Sequence, residues 1–248
     1  MISLVSGLAT CIGYFIIFLP VKNTDRYLSC ALSLSAGVMI MISVLDLIPQ
    51  SLQAFLYMGA LKSCLVTISF MCIGLLFSFA IDRLIPDYGR TQGEKLSPRR
   101  LLRIGIISAC AMILHNLPEG MATFLAGYTN LTLGMSLAAA IALHNIPEGI
   151  SIALPVYYST SSKWKSFRLV LLTGLAEPLG ALLSFLLLRP LASHAFSLGG
   201  IFAFCAGIML HISFGELLPA SRKLGYDNIT LFSLFAGFFI IMISHSLI

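Results

Sequence analysis

Apolar positions in this chain come in long runs rather than alternating with polar ones. Charge clusters, Pro/Gly turns or short polar stretches separate the runs. They predict eight helices, at 2–20, 30–50, 61–85, 101–126, 131–157, 168–189, 196–219 and 228–247. Roughly 20 apolar residues cross a bilayer as a helix, so each run is a candidate membrane span. Eight such spans use about 160 residues and leave short connections. The expected fold class is all-α: a polytopic membrane protein, one transmembrane domain over 1–248. The first run, Ile2 to Pro20, has no basic stretch before it and no clear small-residue cleavage site. It therefore reads as a retained helix rather than a removed leader.

Composition agrees. The 248 residues are 58% hydrophobic and only 10% charged, with a mean hydropathy of +0.96. Soluble domains carry about a quarter charged residues. This balance excludes a soluble enzyme, a secreted disulfide scaffold, a disordered chain and a nucleic-acid binder. The net charge of +5 does not argue otherwise, because the basic residues sit at predicted helix ends and in loops rather than on one face. Six cysteines (Cys11, Cys30, Cys64, Cys72, Cys110 and Cys205) form no C-x-x-C pair. They read as small hydrophobes within apolar runs.

The distribution of the 15 Lys and Arg orients the chain. Lys22 and Arg26 follow span 1. Arg83, Arg90, Lys95, Arg99, Arg100 and Arg103 follow span 3. Lys163, Lys165 and Arg168 follow span 5, and Arg222 and Lys223 follow span 7. That is 13 on one side; the other keeps Lys62 and Arg189. The positive-inside rule then puts the basic loops in the cytoplasm and both termini outside. The longest connection, Pro86 to Arg100, reads as a mobile cytoplasmic loop without a folded unit.

Two segments recur. Ala36-Gly-Val-Met-Ile-Met-Ile-Ser-Val-Leu-Asp46-Leu-Ile-Pro49-Gln-Ser51 resembles Ala206-Gly-Ile-Met-Leu-His-Ile-Ser-Phe-Gly-Glu216-Leu-Leu-Pro219-Ala-Ser221, at an offset of 170. Ala111, Leu114, His115, Asn116, Pro118, Glu119 and Gly120 recur, at an offset of 29, as Ala140, Leu143, His144, Asn145, Pro147, Glu148 and Gly149. The copies fall on spans 2 and 7 and on spans 4 and 5. Each pair differs by an odd number, so its members cross the membrane in opposite senses. Inverted repeats of this kind mark secondary transporters, with the site at the repeat interface near the bilayer midplane.

Five acids fall inside the spans or near their ends: Asp46, Glu119, Glu148, Glu177 and Glu216. Facing lipid at mid-membrane, Glu119, Glu148 and Glu177 would together cost about 7–10 kcal/mol, comparable to a domain's whole stability of about 5–15 kcal/mol. They must face inward and be neutralised by protons, a basic partner or a cation. Spans 4, 5 and 6 offer no Lys or Arg at that depth, but they offer His115 and His144. His115 and Glu119 are i, i+4 on one helix face, as are His144 and Glu148. Asn116 and Asn145 lie i, i+3 from the same acids. Pro118 and Pro147 lack an N–H, so the carbonyls of Leu114 and Leu143 lose their usual partners and the helices should kink. Antiparallel spans 4 and 5 would bring two His, two Asn and two Glu together, and Glu177 could supply a third carboxylate. Imidazole with carboxylate suits borderline divalent metals such as Zn²⁺, Fe²⁺, Co²⁺ and Mn²⁺. No thiolate belongs to the motif, which argues against Cu(I), and two imidazoles disfavour Mg²⁺ and Ca²⁺. A ligand set without Cys releases its ion readily, and bridging carboxylates would allow two ions.

These motifs closely resemble the ZIP (Zrt/Irt-like) family of metal permeases, especially its bacterial zinc-uptake branch. The resemblance rests on His115-Asn-Leu-Pro-Glu-Gly120 and His144-Asn-Ile-Pro-Glu-Gly149 and covers essentially the whole chain. It implies eight spans in a 3+2+3 inverted arrangement with both ends outside. It implies a first metal site from His115, Glu119, His144 and Glu148. A second, adjacent site is implied from Asn116, Asn145 and Glu177, sharing Glu119 and Glu148. Two features of the family are missing: a His-rich loop after span 3, and the H-E-x-P-H-E pattern of another branch.

Asp46 and Glu216, just before Pro49 and Pro219, are candidates for the ion pathway or for hydrated interfacial acids. His211, five positions before Glu216, is a weaker pathway candidate. His194 reads as a loop residue, His245 as interfacial, and Met39 and Met41 as packing. At the offset of 170, Glu177 pairs with Gly7, so the internal symmetry should break there. The function expected is uptake of divalent metal into the cytoplasm across the plasma membrane, zinc first, with iron, manganese, cobalt and cadmium in the same class. No prosthetic group is expected. The partners are the metal ions and the lipid bilayer, without nucleic acid; a homodimer is left open. An intramembrane metalloprotease is the rival enzyme, but His-Asn-x-Pro-Glu lacks the adjacent His-Glu and second histidine of H-E-x-x-H. A metal sensor or metal-stapled bundle is the third reading.

Overall fold

A computed structural model of the chain describes residues 1–84, 97–188 and 195–246. Among the described residues there is no β-strand. Eight helices follow one another: α1 (Ile2–Phe18), α2 (Thr24–Met58), α3 (Ala60–Arg83), α4 (Pro98–Tyr128), α5 (Gly134–Thr160), α6 (Lys163–Leu186), α7 (Gly199–Lys223) and α8 (Asp227–Ser246). Seven are long and apolar enough to span a membrane, and α1 is a shorter apolar helix. The protein is an all-α, multi-pass membrane protein. Helix α2 is much longer than the run at 30–50 suggested, because polar Thr24 to Arg26 open it and the chain continues past Pro49. The greater part of the Pro86–Arg100 connection lies outside the described residues, as does His194.

Local chemistry sets the helix ends. The Asn23 side chain accepts from the Arg26 amide at 3.0 Å. Ser97 and Ser162 cap α4 and α6 in the same way. These side chains satisfy amides that a helix start leaves without partners. Gly59 and Gly225, at φ +93° and +80°, make the turns into α3 and α8, where a side chain would be strained.

The internal repeat is visible as matched contacts. In α2 the backbone widens to a π-bulge at Ser43–Leu47, and in α7 at Ser213–Leu217, again at the offset of 170. Each precedes a proline, Pro49 or Pro219, which cannot donate the helical hydrogen bond. In each, the first serine bonds back: Ser43 to the Met39 carbonyl at 2.9 Å, Ser213 to the Met209 carbonyl at 2.8 Å. Each carries an acid, Asp46 or Glu216.

Glycines against carbonyls complete the correspondence. Gly149 lies against the Thr10 carbonyl, as Gly120 does against the Glu177 carbonyl; Gly13 meets the Ile146 carbonyl as Gly180 meets that of Leu117. Gly237 meets the Leu34 carbonyl as Gly74 meets that of Phe204. Helix α1 therefore maps onto α6 with residues 10 and 177 equivalent, an offset of 167, and α3 onto α8 with residues 74 and 237 equivalent, an offset of 163. The expected pairing of Glu177 with Gly7 is corrected: its counterpart is Thr10. Connections of different length change the offset from one helix pair to the next.

The glycine contacts also divide the molecule. They join α1, α4, α5 and α6 in one group, and α2, α3, α7 and α8 in another. Along the seam α2 meets α5 and α7 meets α4. Helices α3 and α8 are the least buried, and their exposed Leu, Ile and Phe face what lipid would cover. Buried apolar residues of both groups form one contiguous core.

Candidate metal centre

The H-N-x-P-E-G copies lie in the interiors of α4 and α5, which pack against each other. All seven predicted ligands are buried, none exposing more than 7% of its surface. Glu119 Oε1 lies 3.0 Å from His115 Nε2 on its own helix and 2.9 Å from His144 Nε2 on the next. One donor atom from each of the three lies within 4.8 Å of the others. Glu148 approaches this group through its Oε1, 3.8 Å from His115 Nε2.

The asparagines are held by the same symmetry. Asn116 Nδ2 donates to the Thr173 carbonyl at 3.1 Å, and Asn145 Nδ2 to the Ser6 carbonyl at 3.0 Å. Residues 6 and 173 are equivalent in the α1–α6 correspondence. With both amide nitrogens engaged, each side-chain oxygen remains as an acceptor, and neither has a donor. Glu119 Oε2 and both oxygens of Glu148 are likewise buried without a hydrogen bond. Five acceptor oxygens in one buried region, without donors, are costly unless a cation meets them. Protons on the acids would relieve part of this, but the amide oxygens accept no proton near neutrality. A divalent cation suits the whole set.

Glu177 differs. Its carboxylate accepts from Ser6 Oγ and Asn145 Nδ2, both at short range. The structure brings it beside the asparagine layer rather than into the His115–Glu119–His144 group. Its counterpart Thr10 has a buried hydroxyl without a partner. Ser6 carries no signal in the sequence, because a lone serine in an apolar run says nothing until its neighbour across the helix pair is known.

Helices α4 and α5 continue through Pro118 and Pro147. The Leu114 carbonyl takes a hydrogen bond from the Cys205 thiol at 3.6 Å, so a donor from across the seam stands in for the N–H that Pro118 lacks.

A cavity of about 260 Å³ reaches the centre. Glu119 and His144 line its floor, Asp46, Gln50 and His245 its mouth. His245 Nδ1 lies 3.1 Å from Asp46 Oδ1, so His245 is exposed, as an interfacial residue should be, but belongs to the cavity. Glu216 is elsewhere: Arg103 pairs with it at 3.1 Å and with Asp82. Arg103 is therefore not the loop cation that the charge pattern suggests. It is a buried residue of α4, because two carboxylates compensate its charge. His211 is also outside the centre, its Nδ1 2.9 Å from Ser78 Oγ.

An inverted-repeat helix bundle with a buried imidazole–carboxylate cluster at the repeat interface defines a metal-transporter class of membrane protein. The chain belongs to the ZIP zinc transporter family, whose profile matches residues 90–245. It is 44% identical to the zinc transporter ZupT of Chlorobium luteolum, over 98% of this chain and 95% of that protein. It is 40% identical to the ZupT of Oceanobacillus iheyensis, over 98% and 95%, and 39% identical to that of Streptococcus mutans, over 96% and 93%. The family is one of transporters rather than enzymes, and the protease reading falls with it.

Proposed function

We propose that this chain carries divalent transition metal, zinc first, into the cytoplasm through the buried His/Asn/Glu centre. The observation that carries the reading is the set of five donor-less acceptor oxygens beside two imidazoles. Iron, manganese, cobalt and cadmium would compete for such ligands. His115, Glu119, His144 and Glu148 form the first subsite. Asn116, Asn145 and Glu177 form the second, with Glu119 and Glu148 shared. Asp46 and His245 lie on the way in. The basic connections face the cytoplasm and both termini face outside, in the plasma membrane; the cavity mouth then faces outside as well.

Transport follows from movement of one packed group past the other around the site. All seven ligands sit in the α1–α4–α5–α6 group, so the cage moves intact. When the metal leaves, neighbouring carboxylates take up protons, since like charges at this range do not all persist.

Purified protein in liposomes loaded with a zinc-sensitive dye tests this. Uptake that disappears in His144→Ala and Glu148→Ala supports transport. Zinc binding without flux would replace the reading with a sensor or a metal-stapled bundle.

A further inference from the structure

The correspondence between the repeats extends from the metal centre to both ends of the bundle, and there the side chains at corresponding positions differ. Asp46 maps onto Glu216 at the offset of 170, and His245 onto Asp82 at the offset of 163. The Asp46–His245 pair at the mouth of the open cavity is thus the counterpart of the Glu216–Asp82 pair at the opposite end. Arg103 of α4 maps, at the offset of 29, onto Thr132, in the first turn of the helix that runs on as α5. Thr132 is exposed, and a threonine carries no charge with which to hold the Asp46–His245 pair.

Arg103 does hold its pair. One guanidinium nitrogen donates to the Glu216 carboxylate at 3.1 Å. The other donates to the Asp82 carbonyl at 2.8 Å and, at short range, to its carboxylate. All three residues expose 8% or less. Arg103 lies in the α1–α4–α5–α6 group and both partners in the other, so the bonds cross the seam along which the groups would slide.

The cavities follow the same pattern. Between α3, α4 and α7 lies a crevice of about 10 Å³, room for no more than one water. Ser78, Ile212 and Ala111 line it. Their counterparts Ile241, Ile42 and Ala140 line the open cavity of about 260 Å³. The same place in the repeat is open at one end and closed at the other, and the closed end is the one with the arginine.

We propose that Arg103, Asp82 and Glu216 form an ionic latch that holds the cytoplasmic end of the path shut and must release for metal to leave there. The inference rests on the transport reading above. A charge pair this buried is costly to break one partner at a time, which gives the latch its hold. It also occupies, with a tethered cation, two carboxylates that the departing metal would otherwise meet, so metal reaching that end competes with Arg103 for them.

Cys110, half-buried in the crevice between α3, α4 and α7, reports the latch directly. The other cysteines are replaced (Cys205→Ser, the remainder by Ala), and the protein is placed in nanodiscs without metal. A polar thiol reagent there reaches both membrane faces but not the lipid interior. We expect slow Cys110 modification in the parent and a rate higher by roughly tenfold to hundredfold in Arg103→Gln, the scale of one lost charge-assisted hydrogen bond. Glu216→Gln, which leaves Arg103 its Asp82 partner, should show a smaller rise and reads the same question where Arg103→Gln does not fold. The double exchange Arg103→Glu with Glu216→Arg should bring the rate back down. Unchanged rates in both single variants would overturn the latch. Because no metal is present, that result would leave the zinc-flux assay, and the transport reading with it, untouched.

Discussion

Glu119 reaches across the helix pair to His144, with 2.9 Å between Oε1 and Nε2, although the two are 25 apart in the chain. The same oxygen is 3.0 Å from His115. One carboxylate therefore joins the two copies of the motif into a single donor set. Its second oxygen has no partner and is free to meet a metal. Glu119→Gln removes the charge while keeping the shape. Zinc affinity should fall by on the order of 100-fold or more, beyond the roughly 10–100-fold typical of residues that only support a ligand. Isothermal titration calorimetry on purified protein measures it; affinity within a few-fold of the parent would remove Glu119 from the ligand set.

Glu148 presents the opposite balance between stability and function. Both its oxygens are buried without a donor, so in metal-free protein it is a burden on the fold. Glu148→Leu should raise metal-free stability by about 1–3 kcal/mol while abolishing uptake. Thermal melts in detergent check the first part. Zinc should raise the parent's melting temperature by mass action and leave the variant's where it was.

Glu177 and Asn145 test whether the centre takes two ions. The second subsite needs them, whereas the His115–Glu119–His144 group does not. Asn145→Ala and Glu177→Ala should each lower bound zinc from about two ions per chain to about one, the number a single His/Glu set holds. Metal counted by mass spectrometry after equilibrium dialysis decides it. A parent that binds one ion excludes the binuclear arrangement.

Gly120 and Gly149 hold the cage together by letting backbones touch. A Cβ on either would run into a carbonyl, that of Glu177 or Thr10. Gly120→Ala and Gly149→Ala should each cost about 1–3 kcal/mol from overpacking. Gly215→Ala is the control, because the nearest atom there, on the His211 ring, is 3.5 Å away. Equal melting temperatures for all three would mean that the helix pairs separate without loss.

Much of this protein can be read along the chain. Long apolar runs locate the helices because a bilayer admits little else. The doubled His-Asn-x-Pro-Glu-Gly shows which side chains of one helix cluster, because i, i+3 and i, i+4 spacing places its members on one helix face without reference to any other helix. The repeat of Asp46 and Glu216 before prolines is legible too, but the π-bulges that carry the two acids are not.

Contacts between helices were not legible in that way. Ser6 acquires its role from Glu177, 171 positions away, and Arg103 from Glu216, 113 positions away. The sequence by itself determined which segments are helices and which face of each carries the chemistry, since both depend on neighbours within one or two turns. Only the tertiary structure decided that Thr10 stands as the counterpart of Glu177, that His245 joins Asp46 beside the cavity, and that Arg103 pairs with Asp82 and Glu216 at the corresponding place in the other half. A charge or a hydroxyl is satisfied by whatever lies within about 3 Å of it, and the packing of helices, not their order along the chain, sets that distance.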